Sequence, residues 1–199
     1  MTEISPAGII DDLSSNKLLA VTGSGWVLIS DRVMGGLSSG SLRRDVVAGR
    51  PAIRMQGAVS LANSGGFVQI ALDLGDAGGP VDATSWAGIQ LDVIGNGETY
   101  NLHLRTMDLQ RPWESYRQSF QAPISWNCIK LPFSGFTPHR TERPLRLGRL
   151  RRLGIVAIGR EFDADIAISD IRFYAEPEQE PADARDRTQR FDALAQSFE

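Results

Sequence analysis

The 199-residue chain contains a single cysteine, Cys128, so no disulfide can close within it and the stapled framework of a small secreted protein is excluded. Histidine is nearly as scarce. His103 and His139 are the only two, and their spacing is not the i, i+4 arrangement that brackets a zinc ion on a helix. Lysine occurs only at Lys17 and Lys130, so positive charge rests almost wholly on arginine. No stretch approaches the ~18 consecutive apolar residues of a membrane span. At the start, Glu3 stands where a signal peptide carries basic residues, and Ile9 and Ile10 run directly into Asp11 and Asp12; neither an export signal nor an Arg-rich transit peptide is expected. The net charge of −3 lacks the basic excess that nucleic acid or an anionic membrane surface demands. These absences predict a cytoplasmic protein in a reducing compartment, without a membrane span and without a nucleic-acid partner.

What is present reads as one β-rich domain. With 42% hydrophobic and 23% charged residues, the chain can bury a continuous core. Short runs of alternating apolar residues, broken by Gly, Pro, Asn and Asp, fall at 52–59, 66–73, 88–94, 100–105, 115–121, 126–131, 152–158 and 164–174. Such runs at short spacing predict an all-β sandwich. Gly95-Asn96-Gly97 offers the positive φ angles of a tight turn, so the runs on either side are expected to form a hairpin. The domain is expected over 15–175, after an N-terminal segment at 1–14. Beyond it, the acidic, proline-containing stretch 176–181 reads as a linker. Phe191, Leu194, Ala195 and Phe198 fall at i, i+3, i+4 and i+7, one face of a short C-terminal amphipathic helix. Whether the domain pairs with itself through an edge strand, and hence its oligomeric state, is not legible in the sequence.

The least ordinary stretch is Trp26-Val-Leu-Ile-Ser-Asp31-Arg32-Val-Met34-Gly35-Gly36-Leu-Ser38, followed by Asn63-Ser-Gly65-Gly66-Phe67. A tryptophan, then Asp-x-Val-Met-Gly-Gly-x-Ser, then a Gly-Gly-Phe strand start resembles the opening of the complex I intermediate-associated protein family. Residues 88–100, Tyr116 to Phe120, and the segment from Trp126 through Pro132 and Phe133 to Phe136 resemble later landmarks of that family, as do Leu153-Gly-Ile and Ile168-Ser-Asp-Ile-Arg-Phe. The resemblance covers roughly 15–175. It implies a galactose-binding-like jelly-roll sandwich that requires no cofactor and is not an enzyme. It also implies a protein-binding assembly factor or chaperone-like adaptor whose partner is a respiratory-complex assembly intermediate of the NADH:ubiquinone oxidoreductase type.

Weighed on its own chemistry, the loop from Asp31 to Gly40 lacks the lysine and following helix of a phosphate cradle. Its structural role is a sharp glycine turn in which Asp31 satisfies backbone donors and Met34 plugs the end of the sandwich. The same Asp31, Arg32, Met34, Gly35, Gly36 and Ser38, together with Trp113 in the loop Gln110-Arg-Pro-Trp-Glu114, are the candidate partner contacts, since loop-borne Trp and Arg often dominate interfaces. Trp113 has the equal alternative of capping its own sandwich. Gln90, Asp92, Asn101, His103, Arg105, Arg117 and Ser119 alternate away from the apolar positions and are expected on one sheet face. That face is either solvated, as one side of an antiparallel sheet commonly is, or a carbohydrate-binding surface in which Asn101, His103 and Arg105 contact sugar hydroxyls beside nearby aromatics. The arginines of 146–152 offer charge for an acidic patch on a partner. Asp73, Asp76 and Asp82 flank a Gly-rich turn that is either a holder for a structural calcium, though its spacing matches no calcium-loop pattern, or a solvated turn; the second is favoured, and no metal site is expected.

Overall fold

The computed structural model describes residues 4–5 and 7–176; the expected C-terminal helix and all but the first residue of the linker lie outside the described residues. Among these the chain forms β1 (Ile9–Asp11), β2 (Val27–Ser30), β3 (Ser39–Val47), β4 (Arg50–Val59), β5 (Phe67–Asp73), β6 (Gly88–Gly95), β7 (Thr99–Thr106), β8 (Ser115–Gln121), β9 (Asn127–Pro132), β10 (Thr137–His139), β11 (Leu150–Ile158) and β12 (Phe162–Tyr174). They build two antiparallel sheets. One, the β7 sheet, has the order β10-β8-β7-β11-β5-β2; the other, the β6 sheet, has β3-β4-β12-β6-β9, with β1 also pairing β12.

Period-2 alternation sets the core. Tyr100, Leu102 and Leu104 on β7, Val68, Ile70 and Leu72 on β5, and Leu153 and Ile155 on β11 face Ile53 and Met55 on β4, Ile89, Leu91 and Val93 on β6, and Ile166 and Ile168 on β12; all are buried in one cluster. The long β12 keeps its apolar face inward only because its register slips by one residue between Ile168 and Asp170. That bulge moves the inward set from Ile166 and Ile168 to Ile171 and Phe173, as an inserted residue must when side chains alternate.

The hairpin expected around Gly95-Asn96-Gly97 does not form. β6 pairs β12 and β9, whereas β7 pairs β8 and β11, so the chain crosses from one sheet to the other there. Gly97 does take a positive φ of 80°, but a tight reversal does not determine which sheet the next strand joins. The crossing is pinned by Tyr100, whose hydroxyl donates to Asn96 Oδ1 and accepts from the Asp165 amide, both at 2.9 Å. Tyr100→Phe removes both bonds without changing the ring, and is expected to lower unfolding free energy by ~1–2 kcal/mol in urea titrations. A loss below ~0.5 kcal/mol would show that the hydroxyl does not hold the crossing.

The same crossing divides the polar set that the sequence places on one face. Gln90 and Asp92 lie on the outer side of the β6 sheet, while Asn101, His103, Arg105, Arg117 and Ser119 lie on the outer side of the β7 sheet. The β6 sheet's outer face is laced with ion pairs: Arg54 grips Asp165 with two bonds of 2.7 and 2.6 Å, Gln56 joins it at 2.9 Å, and Arg50 meets Asp92 at 3.4 Å.

Candidate functional site

β2 leads into a 3-10 turn, Asp31–Met34, that ends on Gly35 in the left-handed region at φ 88°. Asp31 turns inward and is fully buried. Its carboxylate accepts hydrogen bonds from Ser38 N at 3.0 Å, Ser38 Oγ at 2.5 Å, Gly66 N at 2.6 Å and Phe67 N at 3.3 Å. Ser38 Oγ in turn accepts from Ser60 N at 3.0 Å, and the Asn63 side-chain amide donates to the Gly35 carbonyl at 3.3 Å. The loop over 31–38 and the turn over 60–66 are therefore one unit built around a single carboxylate.

This hub explains one glycine of each pair. A Cβ on Gly36 would lie 2.3 Å from Asp31 Cγ, and one on Gly65 would lie 2.4 Å from Asp31 Oδ2. Side chains are excluded because the carboxylate already fills the space. Burial alone would push the Asp31 carboxyl up, but the bonds from Ser38, Gly66 and Phe67 outweigh it and hold its pKa below the ordinary 3.8.

With Asp31 occupying the interior position, the apolar side chains of the loop are left outside. Val33 is 75% exposed, Met34 66% and Leu37 57%, with Leu61 of the neighbouring turn at 47%. Met34 does not plug the sandwich. Of the contacts named from sequence, Arg32, Met34 and Gly35 are exposed, whereas Asp31, Gly36 and Ser38 are buried and act as the frame. Val33, Leu37 and Leu61, exposed beside them, are not singled out by the sequence reading; the available signal is large apolar side chains inside Gly/Ser-rich turns with no strand alternation to bury them.

Trp113 is 51% exposed but sits elsewhere. Arg105 Nη1 donates to the carbonyls of Arg111, Pro112 and Glu114 at 2.9, 2.7 and 2.7 Å, and the Glu114 carboxylate accepts from the amides of Gln110 and Arg111 at 3.1 and 3.0 Å. The Arg111 guanidinium lies 5.9 Å from the centroid of the Trp113 ring. The loop at 31–38 meets β5 at Phe67, while the Trp113 loop hangs from Arg105, level with Asp73 at the other end of β5 through Arg152. Six residues of strand, about 20 Å, separate them. The structure thus splits the expected partner-contact set between two ends of the sandwich.

The expected sugar contacts are largely engaged within the protein. Arg105 holds the Trp113 loop, and Asn101 Oδ1 accepts from Ser119 Oγ at 2.9 Å. The nearby aromatics Tyr100, Tyr116 and Phe120 point into the core. His103 is pushed down to about 4, chiefly by burial and also by the neighbouring His139 and Arg117 charges, so its imidazole is neutral at neutral pH. Asp73 is held by Arg152 through bonds of 2.6 and 3.0 Å, and Arg149 pairs with Asp108 at 3.1 Å. Asp82 accepts from Thr84 N and Oγ1 at 2.9 and 2.6 Å. An open groove of about 420 Å³ beside Asp73 is lined by Thr22–Gly25 and Asp76–Gly78, with no imidazole or thiol in its wall. Among the described residues no three His, Cys, Asp or Glu side chains gather to hold a metal ion, and no helix is long and apolar enough to cross a membrane.

The family model for Complex I intermediate-associated protein 30 (CIA30) matches residues 14–168. No curated protein matches the chain. Among solved structures, a family 11 carbohydrate-binding module from Clostridium thermocellum, in complex with a β-1,3-1,4-mixed-linked tetrasaccharide, is similar with a TM-score of 0.66 at 15% identity, covering 86% of this chain and 96% of that one. The family 11 module of a cellulosomal cellulase of the same organism gives 0.68 at 14% identity over 87% and 96%. A family 30 carbohydrate-binding module, also from C. thermocellum, gives 0.54 at 15% identity over 69% and 84%. At such identities the likeness is one of fold, the galactose-binding-like jelly-roll sandwich.

Proposed function

The chain belongs to the complex I intermediate-associated protein 30 family, and from that premise we propose that it is a non-catalytic, protein-binding assembly factor. The partner is an assembly intermediate of a respiratory NADH:ubiquinone oxidoreductase-type complex, and the contact is the apolar end at Val33, Met34 and Leu37, flanked by Leu61. The observation that carries the reading is three large apolar side chains held in water by a loop whose backbone is fixed from beneath. Exposed apolar groups on a fixed loop favour association twice over: each buries ~1.5–3 kcal/mol of transfer free energy, and little loop entropy is lost on docking. Asp31, Arg105 and Asp73, the charged groups most suggestive of chemistry in the sequence, are engaged in holding loops and strands, which supports a structural use of these residues.

The test is affinity capture from the native host with the wild-type chain and with Val33→Asp, Met34→Lys, Leu37→Lys combined. Since all three side chains are more than half exposed, the melting temperature is expected to stay within ~2 °C, the ordinary range for surface changes. Recovery of oxidoreductase subunits is expected to fall at least tenfold, about 1.4 kcal/mol. Absence of those subunits from the wild-type capture, or their undiminished recovery with the variant, would overturn the proposal. The alternative, a carbohydrate-binding module acting through Asn101, His103 and Arg105, draws support from the fold likeness but meets an outer face whose aromatics turn inward. A mixed-linked β-glucan that binds the wild-type chain and the apolar-end variant equally, and is lost with Arg105→Met, would favour it.

A further inference from the structure

Residues 103–152 contain ten Lys or Arg and three Asp or Glu, in a chain whose net charge is −3. That segment therefore carries a local excess of positive charge. Within it, the outward positions of β7, β8 and β10 carry no acid and no aromatic. The register sets His103 opposite Arg117, Arg117 opposite Thr137, and Ser115 opposite His139. Arg117 is exposed, and its guanidinium makes no hydrogen bond or ion pair among the described residues. Beneath and beside it, His103 Nε2 and Ser115 Oγ are fully covered and also lack a hydrogen-bond partner, although Ser115 as a whole is only 5% exposed. Buried polar atoms left unpaired are uncommon, because each costs the desolvation of a donor or acceptor. Glu114, the nearest acid in sequence, engages its carboxylate with backbone amides.

We propose that Arg117, His139 and His103, with Ser115 alongside, form an oxyanion site that takes the carboxylate or phosphate group of a ligand. A guanidinium offers parallel N–H donors matched to two oxygens of one anion. The imidazole of His139 donates from the adjoining strand, and Arg140, which follows it, adds positive charge. The charges acting on both imidazoles are repulsive: His103 faces His139 and Arg117, and His139 faces Arg117 and Arg140. A bound anion reverses the sign of that interaction. A neutral sugar gains nothing from it and finds no Trp, Tyr or Phe ring on the outward positions of β7, β8 and β10, which separates this site from a glucan-binding face. The site lies wholly on the β7 sheet and is independent of whether the apolar end binds a protein.

The test is NMR titration of the full chain, following arginine Nε and imidazole resonances, with sodium phosphate, sodium glucuronate, glucose, and sodium chloride at matched ionic strength. Saturable shifts at Arg117 and His139 are expected at low millimolar phosphate or glucuronate. A response to phosphate alone assigns a phosphate ligand, and a response to glucuronate alone assigns a carboxylate. Arg117→Gln, at an exposed position, is expected to keep the fold and weaken binding at least tenfold, while Arg43→Gln on the opposite sheet leaves it unchanged. Shifts no larger than those with chloride, equal binding of glucose, or retention of binding by Arg117→Gln would overturn the site.

Discussion

Replacing Asp31 by Ala is expected to lower the unfolding free energy by roughly 3–5 kcal/mol, the range for leaving several buried donors unpaired at once. The amides of Ser38, Gly66 and Phe67 and the Ser38 hydroxyl all converge on this carboxylate, and methyl replaces none of those acceptors. For a domain of this size each kcal/mol moves the melting temperature by ~2–4 °C, so a fall of about 10 °C is expected in a thermal melt. Asp31→Asn keeps one acceptor oxygen and should lose about half as much. The glycines supply an internal check. Gly36→Ala clashes with the carboxylate, so its cost should shrink in the Asp31→Ala background, a coupling that a double-mutant cycle reads directly. If Asp31→Ala melts within 2 °C of the wild type, the carboxylate does not organise the loop, and the rigid presentation of Val33, Met34 and Leu37 loses its basis.

Acidification is expected to destabilise the fold through a different residue and in a different window. His103 titrates near its ordinary 6.5 when unfolded and at about 4 when folded, because burial, then His139 and Arg117, oppose its charge. Between those values the unfolded chain binds a proton that the folded chain refuses. Stability therefore falls as pH drops from 6.5 towards 4, by at most ~1.4 kcal/mol per pH unit and about 3 kcal/mol in total. The contribution is flat above neutrality. His139, also lowered by burial and by Arg117 and Arg140, adds in the same direction. Asp31 has the opposite acid-base character: its stabilising effect is present above its ordinary 3.8 and is lost only as pH falls through its lower folded value. Urea titrations of the wild type and His103→Gln at pH 7.5, 6.0 and 4.5 separate the two. The variant should lose more than ~2 kcal/mol of the wild type's pH dependence; parallel curves would show that His103 takes up its proton freely in the folded state.

Most strands were legible because a sandwich core imposes period-2 burial on its central strands. β6 and β7 carry that alternation most cleanly, whereas β11 is buried at five successive residues from Leu153 to Ala157 and shows in the sequence as an apolar run. β3 was not legible: its Ser39–Val47 sequence runs through Arg43, Arg44 and Asp45, and as an edge strand pairing only β4 it has little need of an apolar face. β1 and β10, three residues each, are too short to show a period. The resemblance over 15–175 marked the Asp31 and Gly65–Phe67 motifs as a set, and the structure gives the reason.

The sequence by itself determined the all-β class, which follows from local periodicity, the glycine-rich turns, which follow from local backbone freedom, and the family, which its motifs resemble closely enough to name. Only the tertiary structure decided which sheet each strand joins, that Asp31 is buried beneath its loop, that the Trp113 loop hangs from Arg105, level with the far end of β5, and that His103 and Arg117 sit side by side. Each of these depends on contacts between residues distant in the chain. The bond from Gly66 to Asp31 spans 35 residues, and no local pattern encodes where a carboxylate finds its donors.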